Sequence, residues 1–80
     1  MKMPRDISGR ELTAYLKPFG YTVTRQSGSH IRLSMEKDGQ HHIKIPDHDP
    51  LKIGTLSAIL SDIASHFSTT KEAFIKELFG

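Results

Sequence analysis

Two runs in which apolar and polar residues alternate, residues 30–36 and 41–46, are separated only by Lys37-Asp38-Gly39-Gln40. Alternation with a period of two is the pattern of a strand with one buried face. A short link carrying Asp-Gly is a hairpin connection. Strands joined this closely pair antiparallel, because a parallel pair needs a crossover of roughly a dozen residues or more. The preceding run, residues 21–26, is rich in aromatic and β-branched residues, and Ser27-Gly28 reads as the turn after it. The pattern leads to a three-stranded meander with Ile31, Leu33, Met35, Ile43 and Ile45 on one face. Pro46 closes the third strand because it has no N–H to give a ladder.

The flanking segments have helical periodicity instead. Ser8 and Glu11 are spaced as a capping box, and Ile7 and Leu12 as a hydrophobic staple. Leu12, Tyr15, Leu16 and Phe19 then form one apolar face, which predicts a helix over about residues 8–19. Pro18 removes a hydrogen bond near its end, and Gly20 is a natural stop. Leu56, Ile59, Leu60 and Ile63 line a second helix that starts between Pro50 and Thr55. Thr69 and Glu72 are spaced as another capping box, opening a third helix over about residues 70–78 with Phe74, Ile75 and Leu78 on its apolar face.

An apolar sheet face and apolar helix faces cover one another. The predicted fold is therefore α+β: an α-β-β-β-α core with its helices on one face of a three-stranded antiparallel sheet, and an extra C-terminal helix. The 80 residues make a single domain, 1–80. A chain of this size buries only about 60% of the surface it exposes when unfolded. That leaves no room for a deep cofactor pocket, so an active site has to be shallow and on the surface.

The absence of Cys excludes a disulfide framework, a Cys-ligated zinc and a thiol nucleophile. No apolar run approaches the roughly 20 residues that span a bilayer, and the first residues lack the apolar stretch of a signal peptide. The expectation is a cytoplasmic protein with no membrane association. The formal net charge is +2 but unevenly placed: residues 1–44 hold eight Lys and Arg against four acids, and residues 45–80 hold three Lys against five acids. The first half is the part suited to a polyanion.

Strict alternation places Thr22, Thr24 and Gln26, then His30, Arg32 and Ser34, then His42 and Lys44 on the open face of the sheet. Hydroxyls, imidazoles and cations without an acid suit phosphates and riboses. His30 and His42 fall on adjacent strands, where two imidazoles can come near one another. A second histidine-rich tract, His41-His42 with Asp47-His48-Asp49, has the residue types of a metal site. His41 and His42 point to opposite faces of their strand and cannot share an ion. The expectation is therefore no metal and no cofactor. His66 falls at the end of the second helix, where a cation favours the helix dipole.

The segment Arg25-Gln26-Ser27-Gly28-Ser29-His30 is followed by an apolar strand, then Pro46-Asp47-His48, then Gly54-Thr55-Leu56. Together with Ser8-Gly9-Arg10-Glu11-Leu12 and Phe19-Gly20-Tyr21, this ordered set resembles the HicA toxin family over roughly residues 6–64. Residues 65–80 form a C-terminal helical extension beyond it. Ser57 and Ala58 depart from the resemblance, since a basic residue is common there. The resemblance implies a fold similar to a double-stranded-RNA-binding domain. It also implies the toxin of a type II toxin–antitoxin system, a metal-independent ribonuclease that cleaves mRNA and is neutralised by a HicB antitoxin. It places the catalytic His at the third position of Gly-Ser-His, which is His30. Arg25, Ser27, Gly28, Ser29, Arg32, His42 and Lys44 are then the residues expected to bind single-stranded RNA.

His30 is suited to that chemistry by its own properties. RNA can be cut without a metal because its 2′-OH can attack the adjacent phosphate. The reaction needs a base, an acid and cations, and His, with an unperturbed pKa near 6.5, can serve as base or acid. Arg32 shares its face and can hold phosphate. His42, Tyr21 or water could supply the other proton transfer. Two other readings use the same surface: a non-catalytic RNA-binding module, and a protein-interaction domain that meets only a partner.

Overall fold

The computed structural model describes residues 6–36 and 39–80. The elements are helix α1 (Gly9–Leu16), a 3-10 turn (Lys17–Phe19), β1 (Thr22–Ser27), β2 (His30–Met35), β3 (His41–Pro46), α2 (Ile53–His66) and α3 (Lys71–Phe79). The sheet is antiparallel in the order β1-β2-β3. The architecture is the α+β arrangement read from the sequence, an α-β-β-β-α core with helices on one sheet face and a further C-terminal helix. Lys37 and Asp38, the first half of the expected Asp-Gly connection, lie outside the described residues.

The start of α1 is made by side chains. Ser8 accepts from the Glu11 N–H at 3.0 Å, and the Glu11 carboxylate accepts from the Ser8 N–H at 2.9 Å, which completes the capping box. Pro18 does not interrupt the α-helix; it sits in the 3-10 turn, which ends at Gly20 with φ of 104°. Helix α3 is capped differently from the expectation. Thr70, not Thr69, is its N-cap and accepts from the Ala73 N–H, so no carboxylate completes a box there.

One core joins the layers. Ile31, Leu33, Met35, Ile43 and Ile45 meet Leu12 and Leu16 of α1 and Leu56, Leu60, Ile63 and Ala64 of α2. Phe74, Ile75 and Leu78 of α3 extend it, and α3 packs on α1 and α2 rather than on the sheet. Tyr15 departs from the predicted apolar face: it is 46% exposed, with its ring edge-on to Phe79 at 5.0 Å. β1 is exposed along its whole length, as befits an edge strand.

Candidate active site on the open sheet face

The turn that precedes His30 is one residue later than the sequence suggested. Ser27 still pairs with His30, so Gly28-Ser29 is a two-residue hairpin loop. Positive φ falls on Gly28 (58°) and not on Ser29, the type II′ pattern that asks for glycine at the first position. His30 thus opens β2 beside Ser27 on one side and Pro46 on the other.

Strict alternation fails in β1. A β-bulge interrupts the β1–β2 register between Val23 and Arg25. Thr22 still faces Ser34, but beyond the bulge Arg25 lies opposite Arg32 and Gln26 opposite Ile31. One extra residue resets the alternation, so the rest of the strand changes face. The open face therefore carries Arg25 and Ser27 where the sequence reading put Gln26. Thr24 remains on this side, its hydroxyl 3.3 Å from that of Ser34.

A shallow cleft of about 290 Å³ results, lined by Arg25, Ser27, His30, Arg32 and Lys44. Arg32 is opposite Arg25 on one side and opposite Lys44 on the other, which sets three cations in a row across three strands. Among the described residues no acid lines the cleft. Like charges directly opposite in a sheet repel, so this row is unfavourable for folding and favourable only toward an anion. Gly28 and Ser29 contribute the backbone of the turn.

His42 lies elsewhere. It is opposite Ser34, with its Nδ1 2.6 Å from the Ser34 hydroxyl, whereas the residue opposite His30 is Pro46. Pro46 is four residue steps along the strand from His42, about 13 Å at ~3.3 Å per step. The two imidazoles share a face but do not meet. Tyr21 is also out of reach, because its side chain is fully buried in the core. Its hydroxyl lies within hydrogen-bond distance of His41 Nδ1, at 2.6 Å, and His41 Nε2 lies 3.3 Å from Asp62. Burial, and then the nearby Asp62 charge, push the Tyr21 hydroxyl up to about 12, so it stays protonated at neutral pH. His41 also stacks on His66 at 4.4 Å, in the last turn of α2.

The histidine-rich tract is dispersed in the same way. His41 turns toward the helices, His42 toward the open face, and Asp47 pairs with Arg10 at 3.2 Å. Among the described residues no group of three or more His, Asp or Glu is placed to hold a metal ion. Among them, too, no helix is long and apolar enough to cross a membrane. Sequence reasoning missed the Tyr21–His41–Asp62 link and the Arg10–Asp47 pair, which join residues far apart in the chain and have no local signature.

The open face of this small α+β fold thus carries a row of three cations beside the His30 imidazole, with His42 farther along the same face. A family model described as the HicA toxin of bacterial toxin-antitoxin matches residues 9–64, and the chain belongs to the HicA toxin family. The match runs from the first residue of α1 through the three strands and into α2, so it includes the whole cleft and leaves α3 outside. No curated protein and no solved structure gave a significant match.

Proposed function

We propose that the protein is a toxin endoribonuclease that cleaves single-stranded mRNA without a metal, with His30 as its acid–base residue, and that a HicB-type antitoxin neutralises it. The observation that supports this reading best is the cation row Arg25–Arg32–Lys44 beside His30 in one cleft. In the proposed reaction the 2′-oxygen of one nucleotide attacks its own 3′-phosphate. The 2′-O–P bond forms, the P–O5′ bond breaks, and the products are a 2′,3′-cyclic phosphate and a free 5′-hydroxyl. The cations hold the phosphate and take up the charge that develops on its oxygens. His30 takes the 2′-OH proton or delivers one to the leaving oxygen, a step worth roughly 10² to 10⁴ in rate. With Tyr21 buried and His42 remote, the complementary proton transfer falls to water.

RNA binding in this reading rests on Arg25, Arg32 and Lys44, with Ser27 as a hydroxyl partner and Gly28-Ser29 as the close-approaching turn; His42 meets RNA only beyond the cleft. Phosphate contacts position a substrate without reading its sequence, so cleavage should tolerate many sequences. A basic face also favours encounter with an acidic antitoxin surface. Induced expression of wild type beside His30→Ala, following growth and RNA integrity, tests the proposal. Growth arrest with RNA loss in wild type alone is expected; equal arrest in both would overturn the role of His30.

A further inference from the structure

We propose that Arg10 and Asp47 are a positioning pair that holds His30 in place for catalysis; this rests on the reading of His30 as the acid–base residue. The β2–β3 ladder runs to the His30–Pro46 pair, and one further backbone bond extends it: the Asp47 N–H donates to the carbonyl of Ser29, the residue before His30, at 2.7 Å. The position of the Asp47 backbone therefore sets where His30 begins its strand.

Asp47 is held from the other side by α1. Arg10 donates through Nε to one carboxylate oxygen and through Nη2 to the other, each at 3.2 Å. This fork fixes direction as well as distance, which a lysine cannot do. The Gly9 N–H donates to the His48 carbonyl at 2.9 Å, and a Cβ on Gly9 would lie 2.0 Å from the Pro46 carbonyl oxygen. The first turn of α1 is thus pressed against residues 46–48, with Arg10 reaching over them. Arg10 is 74% exposed. Ion pairs this open add little to folding, so the pair acts chiefly on the geometry of the segment it grips. Its carboxylate also neutralises Arg10, which is why Arg10 is a positioning residue here and not a further phosphate contact.

The test uses the full chain and an RNA oligonucleotide. Cleavage kcat and KM, melting temperature and the His30 imidazole NMR signals are measured for Asp47→Ala, Arg10→Lys, the exchanged pair Arg10→Asp with Asp47→Arg, and His30→Ala. Small misplacements of a catalytic group cost up to about 10²-fold. Both single variants should lose about tenfold in kcat, with KM and melting temperature nearly unchanged and the His30 signals broadened; the exchanged pair should recover most of the rate. A wild-type kcat in either single variant overturns the proposal. A loss carried by KM alone also overturns it, since Arg10 would then be an RNA contact. So does a loss that only tracks unfolding. If His30→Ala cleaves at the wild-type rate, the catalytic reading itself fails and the pair has nothing to position.

Discussion

Arg32 stands between Arg25 and Lys44, directly opposite each. Like charges directly opposite in a sheet are destabilising, where favourable cross-strand pairs contribute roughly 0.2–1 kcal/mol. Replacing the central arginine should therefore affect the free protein and its complex in opposite directions. Arg32→Ala is expected to leave folding stability unchanged or raise it by up to about 1 kcal/mol in a denaturant titration. It should weaken RNA binding by a similar factor for unrelated sequences, and lower the salt slope of log K by about 0.7, the value for one phosphate contact on a single strand. Lys44→Ala should do the same to the slope with a smaller gain in stability, since Lys44 has one opposed cation and not two. Unchanged affinity and slope in both variants would remove this face as the RNA surface. Gln26→Ala is the control: the bulge turns that side chain away from the cleft, so binding should not change.

β2 and β3 were legible as elements because their apolar positions alternate, and the burial of Ile31, Leu33, Met35, Ile43 and Ile45 follows that alternation; β1 was legible from its aromatic and β-branched residues. Register was not legible. A bulge is one extra residue, and nothing about Val23-Thr24-Arg25 distinguishes a regular edge strand from a bulged one. The consequence is that Arg25 took the place assigned to Gln26. In the same way, alternation placed His30 and His42 on one face but said nothing of the four strand steps that part them along the ladder. At helix α1, Gly9 appears as an ordinary helix-opening residue, yet its neighbour in space is the Pro46 carbonyl. Gly9→Ala forces a Cβ onto backbone that cannot step aside, and it should cost about 3 kcal/mol, the upper end of overpacking. A denaturation midpoint equal to wild type would show that the junction of α1 and β3 is looser than described. Tyr21 ties β3 to the core through His41. Its hydroxyl pKa is raised by folding from 10.0 to about 12, so the folded state holds the proton more tightly than the unfolded chain. That stability is complete below pH 10 and is lost as the pH rises toward 12. Tyr21→Phe should be less sensitive across this alkaline range; stability curves of equal steepness would contradict the assignment.

At the scale of the whole molecule, helices occupy one side of the sheet and leave the cation row uncovered on the other. That division follows from apolar area and was predictable from the helix and strand patterns. The family match ends at residue 64, so the chemistry proposed for the cleft needs nothing from α3, which packs on α1 and α2 behind the sheet. An antitoxin that neutralises the toxin by covering the cleft should protect residues 25–32 and the end of β3 from hydrogen exchange. Protection confined to residues 65–80 would place the antitoxin on the opposite layer and require inhibition by another route. The proposed activity turns on His30 moving a proton in RNA cleavage. Truncating it removes no core volume, because the side chain is exposed at the start of β2. The most direct measurement is the single-turnover cleavage rate of one defined RNA by folded, purified wild type and His30→Ala, with chelator present throughout. Both should bind the RNA, and His30→Ala should be slower by at least about 10²-fold. Cleavage by folded His30→Ala at the wild-type rate would contradict that role for His30.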